Sequence, residues 1–175
     1  MAAGSNLRRV KSIETPRRGV QRCPARVWRF CVSDNGKTSS NGFEPEITAF
    51  MCNYCAYMSA DTAGTQRIQY PANVKLVRLP CTGKTDIRYI LKAFEEGADG
   101  VYIVACPIGN CHHVRGNERG LRRVQKAKQI LKSVGLEEDR LDMFFMSGGQ
   151  GQEFADKALE MTERVRALGP NPLKK

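Results

Sequence analysis

Four short apolar runs, separated by stretches of helical periodicity, organise the chain from residue 46 onward. The runs are residues 47–51, 74–79, 100–105 and 141–146, each of strand length. The third is apolar on both faces, as a central parallel strand must be. Between the runs, apolar positions recur at three- and four-residue intervals. Ile87, Ile90, Leu91 and Phe94 form one stripe, with Thr85 placed to cap its start and Gly97 its end. Leu121, Val124, Ile130, Leu131 and Val134 form the next, with Asn117 as its cap and Gly135 at its close. Phe154, Ala158, Met161, Val165 and Leu168 form the last, stopped by Gly169 and Pro170. A weaker helix is expected from about residue 57 to residue 68, interrupted by Gly64.

Strands alternating with helices in the order βαβαβαβα imply parallel pairing with right-handed crossovers. The predicted fold class is α/β: a three-layer open sheet of about four parallel strands, flavodoxin- or Rossmann-like, with a basic N-terminal extension. Four units are too few for a closed barrel of eight strands.

Charge separates the start of the chain from the rest. Residues 1–45 hold nine Lys/Arg and three Asp/Glu, more than half of the formal excess of +10 carried by all 175 residues. The segment up to Arg22 lacks apolar periodicity and reads as a basic arm, either simply solvated or suited to an acidic partner. Residues 27–32 have strand character, and residues 33–36 and 39–42 read as a turn and a linker. The expected division is 1–42 as a basic extension for partner docking, 43–170 as the α/β domain and 171–175 as a tail. Sparse aromatic residues (7%) and the lack of a recognition-helix or zinc-finger signature argue against nucleic acid. No apolar stretch approaches the roughly 20 residues of a membrane span, and no secretory leader pattern opens the chain. The expected compartment is the cytoplasm.

That compartment changes the reading of the seven cysteines, Cys23, Cys31, Cys52, Cys55, Cys81, Cys106 and Cys111. A reducing interior disfavours structural disulfides, so a thiol cluster points to metal or redox chemistry. Cys52, Cys81 and Cys106 each follow an expected strand. In a parallel sheet all strand C-termini share one edge, where such folds bind ligands. Cys55 lies one helical turn past Cys52, and Cys111 is in the loop begun by Cys106, so five thiols from three loops converge there. Ordinary buried thiols would explain one such cysteine but poorly explain five. Thiolates are soft ligands for zinc or iron–sulfur clusters. Structural zinc normally uses paired CxxC knuckles, and only one CxxC is present. A thioredoxin-type CxxC would use Cys52 and Cys55 and ignore the other three. A [2Fe–2S] cluster takes four cysteines and accepts them from scattered loops.

Other features carry less. His112 and His113 lack the paired Cys-x-His motifs of Rieske ligation and read as loop residues beside the thiols. From Arg115 to Lys132 seven Lys/Arg face one Glu, either a solvated helix face or a surface for an acidic partner. Residues 147–151 (Ser-Gly-Gly-Gln-Gly) let backbone approach something closely, but lack the P-loop Lys-Ser/Thr. Met58, Met143, Met146 and Met161 read as core fillers.

Several spaced motifs also carry a resemblance: residues 43–50, Cys52 to Tyr57, residues 60–64 and 69–71, Cys81 to Lys84, residues 91–101, Cys106 to His112, Gly116-Asn117 and residues 122–124. Over about residues 43–170 the chain resembles the delta subunit of methyl-viologen-reducing hydrogenase. The resemblance implies a [2Fe–2S] electron-transfer subunit that makes and breaks no bonds itself. It would link a hydrogenase or formate dehydrogenase-type donor to the flavoprotein A subunit of a heterodisulfide reductase-like, electron-bifurcating complex of anaerobes. The family's cysteines fall on Cys52, Cys55, Cys81, Cys106 and Cys111, one more than the cluster needs, and Cys55 is the expected spare. The extension with Cys23 and Cys31 departs from the family pattern, so the resemblance leaves the identity of the donor open. A thiol–disulfide protein using the CxxC, or a zinc-stabilised interaction module, stands as the alternative.

Overall fold

The structure, a computed structural model, describes residues 42–174. The basic arm, the strand expected over 27–32 and the thiols of Cys23 and Cys31 lie outside the described residues. The order is β1 (Ile47–Cys52), α1 (Cys55–Thr65), β2 (Val74–Leu79), a 3-10 turn (Thr82–Lys84), α2 (Ile87–Glu95), β3 (Gly100–Ala105), α3 (Gly116–Val134), a second 3-10 turn (Glu138–Arg140), β4 (Leu141–Phe145) and α4 (Gly151–Leu168).

The strands form one parallel sheet in the order β2-β1-β3-β4. Alternation along each strand divides the core between two faces. Ile47, Ala49, Met51, Tyr102 and Val104 pack toward α1 and α4 with Phe154 and Met161. Phe50, Val101, Ile103 and Ala105 pack toward α2 and α3 with Ile90, Phe94, Val124 and Leu131. All six residues of β3 are buried, which explains its unbroken apolar run. The three-layer, flavodoxin-like α/β architecture expected from the pattern is therefore the one observed.

Helix boundaries need local correction. Asp86, not Thr85, caps α2 and accepts from the Arg88 N–H at 3.0 Å. An Asp carboxylate is a stronger cap than a Thr hydroxyl, and Thr85 is fully buried in the loop. Asn117 does not cap α3; it lies inside the first turn, where it is fully buried. The helix expected over 57–68 starts earlier, at Cys55, and stops at Thr65. Its Ala56, Ser59, Ala60 and Ala63 face inward, so small side chains rather than a strong apolar stripe seat it. Gly97, Gly135 and Gly169 adopt positive φ at helix C-termini, as expected. Met143, Met146 and Met161 are core residues, whereas Met58 is 56% exposed.

The N-terminal edge of the sheet is tied by polar groups. Buried Asp99 accepts from the backbone N–H groups of Glu46 and Asn171. Buried Arg140 donates to the carbonyls of Asp99, Leu168, Gly169 and Pro170 and pairs with Glu137. This edge is closed by structural hydrogen bonds, and chemistry is left to the opposite one. Among the described residues, no helix is long and apolar enough to cross a membrane.

Candidate metal centre

The chain runs from β1 outward to β2, then crosses back over β1 to β3, so its direction reverses between β1 and β3. Such a reversal opens a crevice at the strands' C-terminal ends, the ligand site of doubly wound folds. Cys52 ends β1 and Cys106 directly follows β3. They meet in this crevice with sulfurs 3.4 Å apart, and both are buried. Cys81 and Cys111 form a second pair of neighbouring thiols, both against Gly116. A Cβ on Gly116 would overlap Cys81 Sγ and stand 3.2 Å from Cys111 Sγ. Cys55, the first residue of α1, adjoins Cys106 and Cys111. The structure thus brings together all five thiols expected at this edge.

Local backbone explains how the sulfurs are held. The first turn of a helix leaves N–H groups without intrahelical partners. At α1 the Ala56 N–H donates to Cys52 Sγ at 3.4 Å. At the 3-10 turn, Cys81 is the cap and accepts from the Gly83 N–H at 3.4 Å. At α3 the backbone N–H groups of Gly116 and Asn117, with that of His113, point at Cys111. Each turn following a strand therefore offers its orphan donors to a sulfur, and the positive helix ends add to the effect.

These surroundings set the thiols apart. Burial pushes Cys52 up to about 12. Burial, then the neighbouring Cys106, raises Cys55. Burial also raises Cys81, against the opposing Gly83 N–H. Burial acts on Cys111 as well, but the donors from Asn117, His113 and Gly116, with the Cys81 thiol, outweigh it and hold Cys111 below the usual thiol value.

Several positioning residues carried no clear signal of their own in the sequence. Asn117 Nδ2 donates to the carbonyls of Cys106 (3.1 Å) and Pro107 (2.8 Å), pinning that loop to α3. Arg123 donates to the carbonyls of Gly83 (2.6 Å) and Thr85 (3.0 Å), pinning the Cys81 loop to the same helix. Gly83 and Gly116 let two backbones meet: a Cβ on Gly83 would stand 2.8 Å from Gly116 Cα. Tyr54 stacks on His112 with ring centroids 3.9 Å apart, joining the CxxC turn to the Cys111 loop. The available hint was a glycine close to a cysteine in two separate loops. Residues 147–151 prove to be packing elements: Gly148 and Gly151 press against Met58 and Ala63 of α1.

The donor set suits an iron–sulfur cluster. Its ligands would be soft sulfurs, arranged as two pairs, with N–H donors aimed at them and a glycine cradle with no room for a side chain. Among the described residues, no three His, Cys, Asp or Glu side chains stand in the arrangement that holds a single metal ion.

Fold and edge together define a class of protein: a flavodoxin-like domain that carries a thiol cluster at its switch point. The sequence profile described as methyl-viologen-reducing hydrogenase, delta subunit, matches residues 47–169. The chain belongs to that family. It is 52% identical over 131 residues to the iron–sulfur D subunit of the vhu F420-non-reducing hydrogenase of Methanocaldococcus jannaschii, covering 75% of this chain and 98% of that one. It is 49% identical over 131 residues to the protein of the same name from Methanococcus maripaludis, with the same coverage. It is also 34% identical over 126 residues to the A subunit of the ferredoxin:CoB-CoM heterodisulfide reductase of Methanosarcina mazei. That match covers 72% of this chain but 16% of the relative. A similar domain therefore forms part of a much larger reductase polypeptide.

Proposed function

We propose that this chain is a one-electron carrier: a subunit that holds a [2Fe–2S] cluster and passes electrons between larger redox proteins. The observation that carries the reading is the arrangement of thiols as two pairs, Cys52 with Cys106 and Cys81 with Cys111, at one crevice. A [2Fe–2S] cluster uses two thiolates on each of two irons. Cys55, adjoining one member of each pair, is then the fifth thiol and not a ligand. When bound, the cluster accepts and returns single electrons.

The protein's own residues do the rest. The N–H donors on Cys52, Cys81 and Cys111 withdraw density from the sulfurs, which raises the potential. Buried Cys52 and Cys106 keep water from one side of the site. Cys55, Cys81 and Cys111 are partly exposed, which leaves the site close to the surface where a partner can exchange electrons. The relatives' names support the partners: a hydrogenase or formate dehydrogenase-type donor, and the flavoprotein A subunit of a heterodisulfide reductase-like, bifurcating complex. Thiol–disulfide exchange through Cys52 and Cys55 is the weaker reading, because exchange needs a thiol with a depressed value and burial raises both.

The test is iron and acid-labile sulfide analysis of anaerobically prepared full-length chain, with EPR after dithionite reduction. About two irons and two sulfides per chain, with an S = 1/2 signal, are expected. Cys55→Ser keeps both, and Cys52→Ser, Cys81→Ser, Cys106→Ser and Cys111→Ser each lose or alter them. A protein without iron after reconstitution removes the reading, and zinc in its place favours the interaction module.

A further inference from the structure

One surface beside the thiols is left without a partner in the fold. Val114 is 77% exposed and Ile108 57% exposed, both in the loop between Cys106 and α3. Val114 also sits at φ +62°, a left-handed conformation that a β-branched residue adopts only under constraint. The Val114 N–H donates to the Cys111 carbonyl at 2.9 Å, so the turn that places Cys111 also thrusts the valine outward. Asn or Gly would fit that backbone without strain and without an apolar side chain in water.

Arg115, Arg119, Arg122 and Lys126 continue from this point along α3. Their spacing of four, three and four puts them on one face, and all four are exposed. Arg115 pairs with Glu118, while Arg119, Arg122 and Lys126 have no carboxylate partner among the described residues. Arg115 and Arg119 lie at the positive end of the helix, where cations are disfavoured. They reinforce the local potential instead of offsetting it.

We propose that Val114 and Ile108, with the Arg115–Arg119–Arg122–Lys126 row, form the docking surface for an acidic protein partner that exchanges electrons at the thiol edge. The partner's face carries an apolar notch for Val114, ringed by Asp and Glu. Unpaired cations steer such a partner at long range, and a small exposed apolar anchor holds it once docked. The apolar anchor favours a protein over a nucleic acid, whose phosphates would use the cations alone. The electron-exchange part of the proposal rests on the carrier reading above; the surface itself does not.

The test uses full-length tagged chain isolated with its native complex, the co-isolated subunits being identified by mass spectrometry. A carbodiimide, which joins carboxylates directly to amines, is expected to couple Lys126 to Asp or Glu of another subunit. Val114→Asn, which suits the left-handed backbone, is expected to bind the co-isolated subunits about tenfold more weakly at unchanged iron content. Arg119→Glu/Arg122→Glu is expected to release them at lower salt. This second variant, remote from the thiols, decides the outcome if Val114→Asn loses iron. Wild-type assembly by both variants, with Lys126 open to amine labelling inside the complex, overturns the proposal. So does binding of duplex DNA that ignores Val114→Asn and follows the arginines alone. Absence of iron in a wild-type chain that still assembles through this surface removes the carrier reading and leaves the docking surface standing.

Discussion

The sulfurs of Cys52 and Cys106 stand 3.4 Å apart although 54 residues separate them in the chain. They meet because β1 and β3 are neighbours, with Met51 opposite Val104, although β2 intervenes in sequence. This contact anchors the thiol site to the most buried part of the sheet. The other thiols lie nearer the surface, so the metal-free protein offers graded reactivity.

Alkylation should follow that gradient. Thiolate is the reactive species, and its fraction at a given pH rises as the pKa falls. Cys111, held low and partly exposed, is expected to react first with iodoacetamide near neutral pH. Cys52, buried and raised to about 12, is expected to react last. Peptide mapping over time checks the order, and a Cys52 that leads would contradict it.

Gly116→Ala tests the cradle without touching a ligand. The added methyl would overlap Cys81 Sγ and crowd Cys111 Sγ. Loss of most of the iron is expected, while far-UV circular dichroism stays that of the wild type. Full iron content in this variant would mean that the two sulfurs do not close on the glycine.

Asn117→Ala removes two hydrogen bonds to the Cys106–Pro107 backbone from a fully buried position. Carbonyls left without a partner cost about 1–3 kcal/mol each, so a fall of that order in unfolding free energy is expected. Urea titration measures it. Unchanged stability would assign the loop's position to other contacts.

Asp142 gives a pH signature away from the thiols. Burial pushes its carboxyl up, but Arg164, the Met143 N–H and Lys128 outweigh this and hold it below the usual carboxylate range. A depressed carboxylate stabilises the fold above its unfolded value of about 3.9, and that stabilisation is lost as pH falls through the folded value. Asp142→Asn is therefore expected to be less stable than the wild type at neutral pH. The gap should narrow as the pH drops below about 4. Parallel stability curves across that range would refute the assignment.

Gly64→Ala should act in the opposite direction. Gly64 lies within α1, and nothing stands within 4 Å of where its Cβ would be. A gain of roughly 0.4–1 kcal/mol is expected, mainly from restricting the unfolded chain. A lower melting temperature would point to a clash that the open space does not suggest.

The fold was readable in the sequence wherever one segment's own pattern sufficed. The unbroken apolar run of 100–105 announced a central strand, and Gly97, Gly135 and Gly169 marked three helix ends. Thr85 and Asn117 were misread as caps because sequence shows a side chain's capacity to hydrogen-bond but not its partner. Asp86 lay closer to the first turn, and Asn117 faced a loop that arrives from β3. Met58 was misread for a related reason: its packing partner is Gly148, 90 residues away.

The gathering of five cysteines at one edge follows from the amino-acid order alone, since Cys52, Cys81 and Cys106 end parallel strands and Cys55 and Cys111 follow closely. That conclusion needs no more than local periodicity and the fixed hand of βαβ crossovers. Which thiols are neighbours depends on the assembled fold. The order β2-β1-β3-β4 sets Cys52 beside Cys106, and the contact of Gly83 with Gly116 brings Cys81 to Cys111. Strand order and the meeting of distant loops are set by contacts between segments remote in the chain, and no segment's periodicity encodes them.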